Sequence, residues 1–338
     1  MKKLALLFAL SSPLLYADEP PPPPEIIEEQ LREAEDEFAR AKEMFNPWYT
    51  GPLLTPSYHV LSIGLYNLQP YLFVIDNYAT FDRNGRAHSA PDKIQTLFVP
   101  VFQVGITEWM NAIVEPQFIW VSQSGHHASR FGDTTIGLNI QLVAETPYRP
   151  GLTFTVLESF PTGKYQHLNP KKEGVEGVGS GSFETTIGLL FGKLVWWEIP
   201  KHPMRFRAAF LYQVASRVDV HNFNAYGGGF GTRGKVHPGD NISVDFGYEF
   251  SIDQHWVVAT DFIYKFSFKT TFSGRPGTTV TGAPASVGGP FNDQISLAPA
   301  IEYNWNENLG VIAGVQFSPW GRNTSKFVSG IVSVNYVW

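Results

Sequence analysis

The sequence predicts an all-β membrane protein: a closed antiparallel transmembrane β-barrel of about twelve strands, preceded by a short N-terminal periplasmic helix. Three observations predict it. From about residue 69 onward, apolar and polar residues alternate with period two, the repeat of a strand with one greasy face. The apolar parity turns aromatic at the strand ends, as in the interfacial girdles of outer-membrane barrels. Long and short connections alternate along the chain, as they do when all outer loops lie at one end.

Composition fits. Aromatic residues make up 14% of the 338 residues, with 26 Phe, 14 Tyr and 9 Trp, and charged residues only 17%, against about a quarter in soluble domains. There is no cysteine, which excludes a disulfide scaffold, a thiolate metal site, a cysteine nucleophile and a lipidated N-terminal Cys. A net charge of −6 argues against nucleic acid as a partner, which requires a basic footprint.

Residues 1–17 read as a signal peptide, with Lys2 and Lys3 before the apolar Leu4–Leu15 and a cleavage site at Leu15-Tyr16-Ala17. A proline-rich spacer follows at 18–24, stiffened by five consecutive prolines. Residues 25–45 predict a helix with apolar positions Ile27, Leu31, Ala34, Phe38, Ala41 and Phe45 in heptad spacing. Under three heptads make an isolated coiled coil marginal. The segment reads either as a homo-oligomerising coiled coil or as an amphipathic helix packed on the rest of the chain. Residues 46–68 predict a linker or plug. They are rich in Pro, Tyr, Leu and Gly, unlike a solvated linker, and are expected to enter or cap the periplasmic mouth. His59–Leu68 could extend the first strand or stand alone.

The barrel occupies 69–338. Strands are expected near 69–79, 94–106, 112–121, 132–144, 152–160, 183–193, 204–215, 241–252, 256–269, 294–305, 309–317 and 327–338. Ten and fourteen are the neighbouring even counts. In 256–269, Trp256, Phe262, Tyr264, Phe266 and Phe268 share one face, while Asp261, Lys265 and Lys269 share the other. A water-soluble sandwich would bury the aromatic face; a membrane barrel turns it to outer-membrane lipid. Long connections are expected at 80–93, 122–131, 161–182, 216–240, 270–293 and 318–326. Glu158 falls on the lipid parity, which predicts a bulge or a register change there. The chain ends on Val334, Tyr336 and Trp338 in one parity, resembling the C-terminal signal read by the barrel-assembly machinery.

Catalytic motifs are thin. Gly229–Lys235 matches the start of a phosphate-binding loop, but Val236 stands where the magnesium-binding Ser or Thr belongs. It reads as a glycine-rich outer loop. His126 and His127 have no further ligands at metal spacing. Outer-membrane proteases and phospholipases need a Ser/His or Asp/His constellation. The nearest approach, Ser124–His127 with Asp133, has no supporting spacing. No enzyme, cofactor or metal is expected.

Parity places Glu115, Asp133, Glu184, Asp245, Glu249, Asp261 and Glu302 in the lumen, with Arg205, Arg207 and Lys265. These charges are either a structural ion-pair network, with Arg205 and Arg207 near Glu249, or the wall of a weakly cation-attracting passage. Leu97, Val99 and Val101 also face inward, so the lumen is mixed. In the loops, Phe223, Tyr226 and Phe230, with Phe272, are candidate contacts for a small apolar or aromatic solute, or else they pack the loops together.

Gly51-Pro-Leu-Leu-Thr-Pro-Ser57 before the first strand, Phe160-Pro-Thr-Gly-Lys164 after the fifth, Gly132-Asp133 and Gly179-Ser-Gly-Ser182 resemble the MetA-pathway phenol-degradation family of bacterial outer-membrane barrel transporters. The resemblance covers about 46–338. It implies an outer-membrane location and passive passage of small aromatic or apolar compounds. It carries no binding residue over to this chain. The competing expectation is a non-transporting structural or surface barrel that acts through its outer loops.

Overall fold

The computed structural model describes residues 23, 28–29, 32–33, 36, 47–196, 198–199 and 201–338. The chain divides into two units, 1–44 and 45–338. In the first, Glu28, Glu29, Arg32, Glu33 and Asp36 have helical backbone. The leader and all six heptad positions lie outside the described residues.

In the second unit the alternating pattern becomes one antiparallel sheet. Its strands are β1 (Tyr66–Phe81), β2 (Ala87–Thr107), β3 (Met110–Glu115), β4 (Phe118–Gln123), β5 (His126–Phe131), β6 (Thr134–Val143), β7 (Gly151–Phe160), β8 (Glu184–Val195), β9 (Met204–Ala215), β12 (Asn241–Ser251), β13 (Trp256–Ser267), β15 (Asn292–Asn306), β16 (Leu309–Arg322) and β17 (Thr324–Val337). Three further strands, β10 (Val218–His221), β11 (Arg233–His237) and β14 (Thr271–Arg275), form a small sheet of their own.

The sheet closes because β1 pairs with both β2 and β17; the short β5 pairs with β4 on one side only. Fourteen segments make twelve staves. Pro116, which lacks an N–H, separates β3 from β4, and Gly132-Asp133 separates β5 from β6; β3 and β4 both pair with β2, and on their other side with β6 and β5 in turn. The C-terminal residue seals the seam. Trp338 and Tyr66 exchange backbone hydrogen bonds of 2.9 and 3.0 Å, and their rings stack at 5.8 Å.

Side chains on the outward parity are apolar and exposed, among them Leu72, Val74, Leu138, Phe210, Phe246, Val258 and Val332. Aromatics cluster at both ends of the wall. Tyr66, Trp109, Trp256, Trp305 and Trp338 stand near the short-turn end, and Trp120, Phe131, Phe160, Phe183 and Trp320 near the other. An apolar wall of this extent would be an aggregation surface in water and matches the band of a membrane-spanning barrel. Among the described residues, no helix is long and apolar enough to cross a membrane.

Three expectations are corrected. The connections at 80–93, 122–131 and 318–326 are not long loops. β1–β2, β4–β5 and β16–β17 run on as paired strands and turn tightly near Asp82–Arg86, Ser124-Gly125 and Asn323. These extensions carry polar residues on both faces, so they show no alternation. The register at Glu158 is regular: Ile136, Glu158 and Thr185 lie abreast, and Thr185 donates to the outward Glu158 carboxylate at 2.6 Å. The first strand starts at Tyr66, and His59–Leu65 is not strand.

Candidate functional site

The lumen is not empty. Residues 48–64 enter it from the short-turn end, turn at Leu53–Thr55, and return to the same end before β1. At the first foot, Asn304 donates to the Trp48 carbonyl at 3.1 Å, and the Thr50 amide donates to the Glu302 carboxylate. Ser251 donates to the Tyr49 hydroxyl at 2.7 Å, and the Arg205 guanidinium lies 4.1 Å from the centre of the Tyr49 ring.

At the apex, Asp261 accepts three hydrogen bonds: from the Thr55 amide (2.9 Å), the Thr55 hydroxyl (2.5 Å) and the Leu54 amide (3.2 Å). Beside it Leu53 is fully buried against Ala259, Ala298, Ala300, Ile312 and Ile331. Three inward alanines on β13 and β15 leave the socket that a leucine fills.

At the second foot, Tyr58 is fully buried against Leu190 and Ala209. Its hydroxyl donates to Glu145 at 2.5 Å, and its carbonyl accepts from Thr153 at 2.5 Å. Glycine is required around it: a Cβ on Gly192 would lie 1.8 Å from the ring, and one on Gly151 2.5 Å. Burial raises the pKa of the Tyr49 and Tyr58 hydroxyls well above the usual tyrosine range, so both stay protonated donors. Burial, followed by the Arg205 and Arg207 cations, holds the His59 imidazole well below its ordinary pKa. Its Nε2 lies 3.8 Å from a Glu145 carboxylate oxygen.

The feet and apex fasten to β6–β9 and to β12–β17, but the space beside the segment is one-sided. A cavity of about 360 Å³ lies between residues 50–59 and the inner faces of β1, β2, β3 and β6–β9. Tyr71, Phe73, Leu97, Val99, Val101, Ile113, Leu157 and Leu211 give it an apolar lining, with Gln69, Gln103, Asn139 and Thr155 interspersed.

The ten inward charges therefore do different jobs. Glu302 and Asp261 bind the internal segment. Arg207 and Glu249 form an ion pair at 2.8 Å, both buried, and Arg205 stacks on Tyr49. Asp245 accepts from Ser243 at 2.6 Å. Asp133 does not line a passage; it accepts from the Gly163 and Ser180 amides at 2.9 and 2.8 Å, fastening the 161–183 loop. Glu184 and Lys265 keep inward parity near the long-loop end. Glu115 faces the cavity.

The loop aromatics separate in the same way. Tyr226 is committed to the loop core: its hydroxyl donates to the Ser180 carbonyl at 2.6 Å, and it packs with Phe272 against Val218, Val220 and Val236. Phe223 and Phe230 pair edge to face at 5.0 Å, and Phe230 is exposed. The glycine-rich 229–235 stretch runs into β11, not into a helix. Val334 and Tyr336 face outward on β17, and the exposed Trp338, one residue past its end, stacks on Tyr336 at 5.2 Å.

Sequence parity missed Glu145 and Thr153, which hold the segment from turn or inward positions, and the Arg322–Asp293 pair. It also missed Glu176, a buried loop carboxylate gripped by Lys164 (2.9 Å), Arg130 (3.2 Å) and Lys172 (3.6 Å). The spacing of Lys172 and Glu176, four residues apart, was the only local signal for it.

No protein-family model matches the chain, and no curated relative does. Among solved structures, an outer-membrane channel from Pseudomonas putida F1 is similar, with a TM-score of 0.65 at 12% identity over 84% of this chain and 100% of that one. A mutant of the monoaromatic hydrocarbon channel TodX scores 0.42 at 10% identity over 86% and 95%. The translocator domain of the autotransporter NalP from Neisseria meningitidis scores 0.42 at 10% identity over 92% and 96%. The first likeness is one of fold: a closed barrel of the outer-membrane type.

Proposed function

We propose that this protein is an outer-membrane channel through which small apolar or aromatic solutes diffuse passively, with residues 48–64 narrowing the path from the periplasmic side. The observation that carries this reading is the one-sided lumen. The internal segment is anchored, yet it leaves an apolar cavity of about 360 Å³ along half of the wall, within the size range of small-molecule sites. Twelve strands lie between barrels filled by side chains and open porins, so the path is narrow. The sequence resemblance to the phenol-degradation barrels points to the same solutes. On this reading the outward apolar face meets outer-membrane lipid, Val334, Tyr336 and Trp338 engage the assembly machinery, and the short turns and residues 25–45 lie in the periplasm.

The anchored segment is also the observation that favours the second reading, a plugged structural barrel. Two measurements separate them, one on the purified chain and one in cells. In planar bilayers, removal of residues 47–59 should raise conductance. In cells, deletion of the gene should slow uptake of small aromatics while sugar and salt uptake stay normal. Equal aromatic uptake with and without the protein would overturn the channel reading and leave the structural one.

A further inference from the structure

The cavity contains one group that a channel for neutral hydrocarbons does not need. Glu115 ends β3 at the Pro116 break and lines the cavity. Among the described residues it has neither a hydrogen bond nor an ion pair. The charged groups that could neutralise it are occupied elsewhere. Arg207, which also lines the cavity, is bound to Glu249 through Nε at 2.8 Å. Arg205 lies on the Tyr49 ring, and the His59 Nε2 faces Glu145 at 3.8 Å. Glu115 is partly buried in a cavity that mixes leucines and valines with Gln69, Gln103, Asn139 and Thr155, and a carboxylate left without a partner in such a place is unfavourable. Tyr71 and Phe73 stack at 5.8 Å and line the same cavity. A carboxylate and aromatic rings around an apolar space together recognise an organic ammonium: the charge is met by the carboxylate and the ring faces, the hydrocarbon by the apolar wall.

We propose that this cavity binds small amphipathic organic cations of the arylalkyl-ammonium class, and that Glu115 is the residue that selects them over neutral solutes of the same shape. The proposal rests on the channel reading for its physiological sense, but binding can be read without transport.

The test uses the full chain purified in detergent and isothermal titration with phenethylammonium and with its neutral isostere 2-phenylethanol. Wild type should bind the ammonium at least tenfold more tightly. Glu115→Gln should abolish that preference by weakening phenethylammonium binding at least tenfold, while Glu115→Asp, which keeps the charge one methylene further back, should retain part of it. Heat-modifiable mobility in gels reports that each variant is folded. Equal affinity for the two ligands in wild type, no binding of either, or an unchanged preference in Glu115→Gln would each overturn the proposal. Flux in liposomes distinguishes the two readings. Passage of 2-phenylethanol without ammonium preference sinks this inference alone. Selective binding without passage of either ligand sinks the channel reading alone.

Discussion

Replacing Asp261 with alanine should release the apex of the internal segment. The carboxylate accepts three hydrogen bonds from two consecutive residues, Leu54 and Thr55, and its own side chain is fully buried. Hydrogen bonds to a charged group contribute roughly 1.5–3 kcal/mol each. Simple addition overstates the sum, because neighbouring bonds to one group are not independent. Removing a buried carboxylate also relieves its own desolvation cost. A net loss of about 3 kcal/mol is the reasonable expectation, which is roughly a 150-fold shift towards the undocked segment at about 1.4 kcal/mol per decade. Asp261→Asn keeps one acceptor oxygen and should cost about half as much.

The absence of cysteine from the chain provides a clean assay. A single Leu53→Cys reporter, buried when the segment is docked, is labelled with a maleimide in the parent and in Asp261→Ala. The labelling rate should rise by about two orders of magnitude, and open events in planar bilayers should become more frequent. If both stay within a factor of two of the parent, the segment is held by something other than these bonds, and Asp261 is not its clasp.

Three further outcomes are expected. Gly192→Ala places a methyl where the Tyr58 ring lies; it should dislodge the second foot and raise labelling of a cysteine in the segment, whereas Gly330→Ala, whose Cβ meets nothing within 4 Å, should change neither labelling nor conductance. Deleting Trp338 removes both backbone bonds to Tyr66 at the seam and should reduce the heat-modifiable outer-membrane species at least severalfold in fractionated cells; normal amounts would contradict the role given to the C-terminal residue. Lys164 first, together with the Asn169 amide and Arg130, holds the Glu176 pKa at about 2, below its ordinary 4.5. A depressed carboxylate stabilises above its ordinary pKa and loses that contribution as pH falls through the depressed one, so pepsin cleavage in the 161–183 loop should accelerate between pH 4.5 and about 2 in wild type. Glu176→Gln, measured at the same pH values, should lack that step.

The strands were readable because the membrane imposes its own pattern. Lipid on one side and an enclosed lumen on the other force alternation along each stave, so 204–215 and 256–269 could be outlined from their side chains alone, and the inward parity of Glu249, Asp261 and Glu302 followed from the same rule. Beyond the apolar wall both faces are polar, the alternation ends, and the extensions at 87–93 and 318–326 read as loop although backbone pairing continues there. The composition of 46–68 already set it apart from a solvated linker, because prolines, tyrosines and leucines need cover. Its anchors were not readable. Thr55 meets Asp261 across 206 residues, and Thr50 meets Glu302 across 252; such meetings depend on how the closed sheet brings distant staves face to face, which local periodicity does not encode. Parity could say that Glu115, Asp133 and Asp261 point inward. Only the tertiary structure decided that one binds the internal segment, one fastens an outer loop and one stands alone in an apolar cavity, because that depends on what else is folded into the same space.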